Sequence, residues 1–135
     1  MIHIDGGSTG NPGPAGFGVH AVDDRGEVVA EHFGFIGTAT NNVAEYQALV
    51  HAFDLAASRG AKRIEIRSDS ELVVKQMNGV YKVKHPDMQT LYRQASTKRR
   101  TFEAAEIKHV RREQNREADA LANRAMDLKD SHLKG

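Results

Sequence analysis

Hydrophobic and polar positions alternate along the first third of the chain with the period of two that β-strands show. In the opening residues, Ile2 and Ile4 fall on one face and polar side chains fall on the other, as in a half-buried strand. The segment 6–16 is rich in glycine and proline and predicts a turn. Residues 23–26, Asp-Asp-Arg-Gly, have the composition of a hairpin connection. The pattern therefore predicts an antiparallel meander of three strands, at residues 1–5, 17–22 and 28–36.

The period changes to that of an α-helix after residue 41. Gly60 and Gly79 supply the residue that commonly ends a helix, and Pro86 supplies one that commonly opens it. The pattern predicts helices at residues 42–59, 70–78, 86–99 and 115–128, and strands at residues 64–69 and 103–110. The order βββαβααβα indicates an α/β fold with a five-stranded mixed sheet, three antiparallel strands and then two parallel ones, with helices on both faces. We expect residues 1–129 to form one domain and residues 130–135 to form a flexible C-terminal tail.

Composition and charge narrow the classes of function. The chain has no cysteine, which excludes disulfides and thiolate metal sites. No run approaches the length of about 18 consecutive apolar residues that a membrane-spanning helix needs, so we expect a soluble, cytoplasmic protein with no membrane partner. We also expect a monomer. The formal charge of +1 conceals a division, because residues 1–79 carry 6 basic and 10 acidic groups, whereas residues 80–116 carry 10 basic and 4 acidic groups. Such a basic segment is typical either of a solvated helix face or of a nucleic-acid surface.

Three aspartates lie at positions that are suggestive but also have simpler interpretations. Asp5 and Asp69 are each predicted to end a strand, which is the edge of an α/β sheet where ligands collect. Asp69 also suits a helix cap, and Asp119, in the first turn of the last helix, also suits the helix dipole. Considered one at a time, these positions leave both interpretations open.

Glu45 is the acidic residue that periodicity singles out. It shares a helix face with Leu49, Ala52 and Phe53, the stripe expected to pack on the sheet. A carboxylate there is costly to bury unless a cation or hydrogen bonds compensate. With the three aspartates it makes an all-oxygen set of the kind that hard divalent cations bind, and the four negative charges should raise at least one carboxyl pKa in the metal-free protein. Two magnesium ions bound there would provide a phosphodiester hydrolysis site.

Four segments resemble motifs of the type 1 ribonuclease H family and follow the family's order along nearly the whole chain. They are DGGSTGNPGPAG at residues 5–16, TNNVAE at 40–45, SDS at 68–70 and EQNREADALA at 113–122. The resemblance implies an endoribonuclease that cuts the RNA strand of RNA/DNA hybrids and leaves 5′-phosphate and 3′-hydroxyl ends. It also implies two magnesium ions in the substrate complex, with manganese as an alternative. The implied catalytic and metal-holding residues are Asp5, Glu45, Asp69 and Asp119.

The resemblance also implies how the hybrid is bound. A hybrid is recognised through its wide minor groove, its phosphates and its 2′-hydroxyls rather than through base sequence. The resemblance implies that three asparagines, Asn11, Asn41 and Asn42, reach the minor groove. It also implies that Thr40 holds a phosphate of the DNA strand and that the backbone of residues 6–8 contacts RNA 2′-hydroxyls. The alternative for the asparagines is turn formation and capping, and we expect Asn42 to cap the first helix. The implied substrate-binding residues are Gly6, Gly7, Ser8, Asn11, Thr40, Asn41, Asn42, Ser70 and Glu71.

The loop before the last aspartate departs from the family pattern. Many members carry a catalytic-assisting histidine there in a flexible, glycine-rich loop, and this chain has no glycine at that place. His109 falls inside a predicted strand, so we favour a structural role for it. Arg112 is the better candidate for engaging the scissile phosphate, although a permanent cation steadies charge without shuttling protons.

Two further departures concern the binding surface. Residues 80–85 stand where many bacterial members have an extra helix and a basic protrusion, so the chain is similar to the compact form of the family. We expect basic residues of the segment 80–116 to replace part of that surface. Glu71 places a negative charge where related enzymes often have a polar amide, which could alter the affinity for metal or substrate.

Two other classes of function are compatible with parts of the sequence. One is a catalytically silent module of the same fold that binds hybrid or double-stranded RNA, and the presence of all four carboxylates argues against it. The other is an actin-like or sugar-kinase-like nucleotide-binding domain, suggested by the phosphate-loop character of residues 5–9. Such proteins pair two domains, and 135 residues supply one.

Overall fold

The structure is a computed structural model that describes residues 1–134, without the side chains of residues 133 and 134. Its strands are β1 Ile2–Ser8, β2 Gly13–Val22, β3 Val28–Ala39, β4 Arg63–Ser68, β5 Ala104–His109 and β6 His132–Lys134. They form one sheet in the order β5-β4-β1-β2-β3-β6. The pairs β1–β2 and β2–β3 are antiparallel, whereas β4 is parallel to both β1 and β5. The predicted mixed sheet is thus confirmed, with β6 as an addition at one edge.

Helices cover both faces of the sheet, as predicted. They are α1 Asn41–Ser58, α2 Glu71–Met77, α3 Pro86–Arg99 and α4 Arg116–Leu128, with a short 3-10 helix at Arg112–Gln114. Helix α1 packs on β1 and β2 and is backed by α3, and α4 packs on the opposite face against β1, β2 and β3. The segment 78–85 joins α2 to α3 without a further helix. Within residues 1–134, no helix combines the length and apolar character that crossing a membrane requires.

The main core lies between the sheet and α1. Ile4 of β1 and Leu49 and Phe53 of α1 are fully buried there. A smaller cluster under α4 contains Phe33, Leu121 and Ala125. The stripe predicted for α1 is therefore the face that packs on the sheet, and Glu45 lies on it.

Gly6 allows α1 to lie directly against β1. A β-carbon on Gly6 would be 2.3 Å from the carbonyl carbon of Ala44. Because no side chain fits in that gap, the backbones of β1 and α1 are in contact at Gly6 and Ala44. Gly6 directly follows Asp5, and Ala44 directly precedes Glu45. The close approach brings these two acidic residues together.

Gly18 has the same role for α4. It lies opposite Asp5 in the β1–β2 register, and a β-carbon there would be 2.3 Å from the carbonyl oxygen of Ala118. Asp119, the next residue of α4, is therefore held close to Asp5 from the other face of the sheet.

The first strand extends beyond its predicted end, so Asp5 lies inside β1 and not at its terminus. Residues 6–8, which the sequence assigned to a turn, continue the strand and pair Gly7 with Gly16 and Ser8 with Ala15. Glycine has little strand preference of its own, and the pairing with β2 and the close helix packing override it here.

The helix caps also differ from the prediction. Thr40 Oγ1 accepts a hydrogen bond from the backbone N–H of Val43, 3.2 Å away, so Thr40 and not Asn42 caps α1. Ser70 caps α2 in the same way, so Asp69 is not used as a cap. Each cap is a hydroxyl placed three residues before the amide it bonds, which is the geometry that a cap requires.

Residues 132–134, within the stretch predicted to be a flexible tail, form β6. This strand pairs with β3, and the ring of His132 stacks on Phe33 with centroids 5.6 Å apart. The edge of β3 offers unpaired backbone groups, which pattern analysis of the tail alone does not reveal. Gly135 lies outside the described residues.

Candidate active site

Three carboxylates converge at the centre of the sheet. Asp5 of β1, Glu45 of α1 and Asp69, which directly follows β4, each offer an oxygen within 4.8 Å of the others. The parallel register pairs Ile4 with Ser68, which places the next residue of each strand, Asp5 and Asp69, side by side. Three of the four predicted carboxylates therefore form one compact group.

Asp119 lies at the edge of this group. It stands in the first turn of α4 and lines the same cavity as the other three carboxylates. The Nδ2 of Asn123 donates a hydrogen bond to the Oδ2 of Asp119 over 3.4 Å, and the Asp119 carboxyl group contributes to the raised pKa of Asp5. Asn123 is a site residue that the sequence analysis missed.

Burial favours the protonated, neutral form of two of these carboxyl groups. Asp5 is 7% exposed and Glu45 is 6% exposed. Burial, reinforced by the negative charges of Glu45 and Asp69, raises the pKa of Asp5 to about 10. Burial is also the main cause that raises the pKa of Glu45 to about 8, against the opposing effect of its hydrogen bond with Asp5. The expectation of raised carboxyl pKa values is therefore confirmed for these two residues.

One buried oxygen in this group has no partner among the described residues. The Oε2 of Glu45 is inaccessible to solvent and accepts no hydrogen bond. A buried carboxylate oxygen without a partner is costly, and a divalent cation would satisfy it. The donor set is all oxygen and acidic, which fits magnesium or manganese better than zinc or copper.

The carboxylates open onto a cavity of about 710 Å³. Most of the predicted substrate-binding residues line it, namely Gly6, Gly7, Ser8, Asn41, Asn42 and Ser70. Asn11, Thr40 and Glu71 are not among the lining residues. His109, Arg111, Arg112 and Met126 of α4 also line the cavity.

The polar loop beside the cavity is held by its own side chains. The Oδ1 of Asn41 accepts hydrogen bonds from the backbone N–H and the hydroxyl of Ser8, at 2.8 and 2.9 Å. The Oδ1 of Asn11 in turn accepts from the backbone N–H of Asn41 at 3.0 Å. The side-chain oxygens of Asn11 and Asn41 therefore have a structural role in holding the loop. Their side-chain NH2 groups take no part in these hydrogen bonds.

The two candidate helpers occupy different kinds of position. His109 lies in a strand, as predicted, and is the last residue of β5; its side chain is exposed and lines the cavity. Arg112 opens the 3-10 helix before α4 and is also exposed at the wall. The structure brings both residues to the cavity, so the strand position of His109 does not remove it from the site.

Asn115 links two of the elements that carry carboxylates, which sequence reasoning did not foresee. It is 0% exposed, and its Nδ2 donates to the carbonyl oxygen of Ile4 over 2.8 Å. Its backbone carbonyl accepts from the N–H of Asp119 at 3.0 Å. A contact between residues 111 positions apart has no local signal in the sequence.

The comparisons with known proteins agree with this geometry. The family model described as reverse transcriptase-like matches residues 3–125. Ribonuclease H1 from Halobacterium salinarum, whose crystal structure is known, is 45% identical in sequence to this chain. The two structures superpose over 94% of this chain and 96% of that chain, with a TM-score of 0.91. The chain belongs to the type 1 ribonuclease H family.

Other relatives of this ribonuclease H family member extend the picture. LC11 ribonuclease H1, solved in complex with an RNA/DNA hybrid, is 41% identical, with 95% of this chain and 96% of that chain covered and a TM-score of 0.90. A bifunctional protein of Mycobacterium tuberculosis is 49% identical over 94% of this chain. The chain spans only 35% of that protein, so it corresponds to about a third of the length of the first curated relatives it matches.

Proposed function

We propose that the chain is a metal-dependent endoribonuclease that hydrolyses the RNA strand of RNA/DNA hybrids. The observation that carries this proposal is the group of Asp5, Glu45 and Asp69, which lines a polar cavity with Asp119 at its edge. Membership of the type 1 ribonuclease H family and a relative solved with a hybrid support the same substrate. Residues 1–129 are proposed to carry the activity.

Asp5, Glu45, Asp69 and Asp119 would hold two magnesium ions in the substrate complex, and manganese would serve as a substitute. When bound, the ions would activate a water molecule and stabilise the departing oxygen of the scissile phosphodiester, leaving 5′-phosphate and 3′-hydroxyl ends. Because Asp5 and Glu45 retain protons in the metal-free protein, loading the site requires these two groups to lose them. Metal binding should therefore strengthen as the pH rises.

The chain's own residues would complete the reaction. Arg112, at the cavity wall, would steady the charge of the scissile phosphate as a permanent cation. His109 also lines the cavity, and because histidine is the side chain that most often transfers protons in enzymes, it is the candidate for proton transfer to the leaving group. Asn123 would orient Asp119 through the hydrogen bond between them.

The polar side of the cavity would read the minor groove of the hybrid. The backbone of residues 6–8 would contact 2′-hydroxyls, and the amide N–H groups of Asn41 and Asn42 would reach base edges or sugars. Asn11 braces the loop that presents them, and Thr40, as the cap of α1, would lie near a phosphate of the DNA strand. Ser70 would contact the RNA beside Asp69.

The basic segment 80–116 divides into structural and available groups. Lys98 and Lys108 form ion pairs, and Arg99 donates to backbone carbonyls and to Asn78. The other basic residues of the segment 80–116 are all exposed and none is in an ion pair with another described residue; they are Lys82, Lys84, Arg93, Arg100, Arg111, Arg112 and Arg116. We propose that this second set contacts phosphates of the hybrid in place of the basic protrusion.

A substrate panel tests the proposal. End-labelled RNA/DNA hybrid, double-stranded RNA, double-stranded DNA and single strands are incubated with the protein, with magnesium and with EDTA. We expect the hybrid's RNA strand to be cut only with magnesium. Binding without cleavage would favour the silent module instead, and cleavage unaffected by EDTA would contradict the metal site. We also propose that the protein is a monomer, because one copy supplies all four carboxylates, and light scattering during gel filtration would test the oligomeric state. A cytoplasmic location remains a proposal.

A further inference from the structure

Glu71 places a negative charge next to the proposed hybrid site, yet its carboxylate is held outside the cavity. It follows Asp69 and Ser70 directly and opens α2. Ser70 lines the cavity and Glu71 does not. The Glu71 carboxylate instead accepts a hydrogen bond from the Nζ of Lys75 at 2.7 Å, one helical turn further from Asp69.

Lys75 is fixed by more than this one ion pair. Its Nζ also donates to the hydroxyl of Tyr81 at 3.3 Å and lies 5.1 Å from the centre of the Tyr81 ring. The chain folds back on Lys75 at Gly79, which has a φ of +78°, and the N–H groups of Val80 and Tyr81 both donate to the Lys75 carbonyl. The turn therefore places the aromatic ring beside the ammonium group.

This arrangement has an electrostatic consequence for a polyanionic ligand. An unpaired carboxylate at the first residue of α2 would repel phosphates that approach Asp69 and Ser70, whereas a paired carboxylate has almost no net charge at that range. An exposed ion pair is weak when both side chains are free. Here the tyrosine restrains one partner, so the pair is formed before the hybrid arrives.

We propose that Lys75, restrained by Tyr81, is a positioning residue that draws the Glu71 carboxylate away from the cavity and neutralises it, so that hybrid phosphates can approach the start of α2. This inference rests on the proposed function. It assigns Lys75 to the control of a neighbouring charge and not to contact with the substrate.

A double-mutant cycle tests the assignment. Lys75→Met should expose the charge of Glu71 and weaken hybrid binding about threefold to tenfold at low salt. Glu71→Gln should tighten binding, because it leaves Lys75 unpaired. The double variant Lys75→Met/Glu71→Gln should return to within about twofold of the wild type. The dissociation constant is measured by fluorescence anisotropy of a labelled hybrid in EDTA at two salt concentrations, and the same change should appear in KM and not in kcat with magnesium.

Lys98→Met is the matched control. Lys98 pairs with Asp54 at 2.7 Å, with side-chain exposures of 38% and 56%. The Lys75–Glu71 pair has the same distance and exposures of 39% and 58%. Lys98 lies on α3 and does not line the cavity, so its replacement removes the same charge without exposing a carboxylate at the site. It should change the hybrid dissociation constant less than Lys75→Met does.

The outcomes separate this inference from the proposed function. A double variant as weak as Lys75→Met would show that Lys75 contacts phosphate directly, which would overturn the inference. Unchanged binding by Lys75→Met would overturn it as well, because Glu71 would then have no influence on the hybrid. If the folded wild-type protein neither binds nor cuts the hybrid, the proposed function itself fails. This failure is distinguishable from a failure of the inference, because it is seen in the wild type before any variant is compared.

Discussion

Replacing Asp5 by asparagine should stabilise the metal-free protein, and the gain should grow with pH. The pKa of Asp5 is raised from 3.8 to about 10, chiefly by burial and by the charges of Glu45 and Asp69. The folded state therefore keeps a proton that the unfolded chain releases above about pH 4. Because the folded state binds more protons in this window, the contribution of Asp5 to stability falls as the pH rises from about 4 towards 10.

The size of the effect follows from linkage. One retained proton makes the free energy of unfolding fall by about 1.4 kcal/mol per pH unit, so the difference between Asp5→Asn and wild type should widen by about 2.7 kcal/mol from pH 6 to pH 8. Asp5 is 7% exposed, so solvent screens this effect little. Urea unfolding in EDTA at pH 6, 7 and 8 measures it.

The control for this experiment is Asp24→Asn. Asp24 is exposed in the turn between β2 and β3, away from the carboxylate group, so this variant should not reproduce the gain of Asp5→Asn. Adding magnesium should stabilise the wild type much more than Asp5→Asn. Parallel pH profiles for wild type and Asp5→Asn would refute close packing of the carboxylates in the folded protein.

Three further variants test other parts of the structure. Gly6→Ala should push α1 off β1, destabilise the protein by at least about 1–3 kcal/mol in thermal unfolding and weaken magnesium binding in calorimetry; undiminished magnesium affinity would contradict the role given to this contact. Asn115→Ala should leave the Ile4 carbonyl without its partner, cost about 1–3 kcal/mol and also weaken magnesium binding, and loss of stability alone would show that the link does not serve the site. The third variant is His51→Gln. The ring nitrogens of His51 and His32 are 2.7 Å apart, and burial lowers the pKa of both, so the unfolded chain takes up protons more readily than the folded state as the pH falls. The variant should therefore lose less stability between pH 7 and pH 5 in urea unfolding, and an unchanged loss would be evidence against this pair.

Matched variants separate effects on the site from general destabilisation. Tyr46→Phe removes a buried hydrogen bond of 2.7 Å to Gln76, so it should lower stability as Asn115→Ala does while leaving magnesium affinity unchanged. Gly7→Ala is the counterpart of Gly6→Ala, because a β-carbon there would meet only the methyl end of Met126 at 3.4 Å. It should preserve the fold.

Periodicity and end signals were sufficient where local sequence decides the structure. The stripe of α1 correctly placed Glu45 towards the sheet, and α3 begins at Pro86 and ends at Arg99 as predicted. The strand character of His109 was also correct. In each case the residues that form the signal lie within a few positions of one another, so no tertiary contact was needed to interpret them.

Contacts between distant segments explain what the sequence did not predict. Residues 6–8 looked like a turn because glycine is rare in strands, and their pairing with β2 across the sheet keeps them extended. The strand at 132–134 depends on the free edge of β3. Asn115 reaches Ile4 from the far end of the chain, and nothing in its own neighbourhood marks it as a link between the elements that carry Asp5 and Asp119.

The central claim is that the carboxylate group holds divalent metal that is required to cut the RNA strand of a hybrid. The most direct measurement is the rate of hybrid cleavage as a function of magnesium concentration for the wild type and for Asp69→Asn, which removes one member of the group without emptying a buried volume. We expect saturable, magnesium-dependent cleavage by the wild type and no cleavage by the variant, whose thermal stability in EDTA should be at least that of the wild type. Near wild-type turnover by folded Asp69→Asn would contradict the claim.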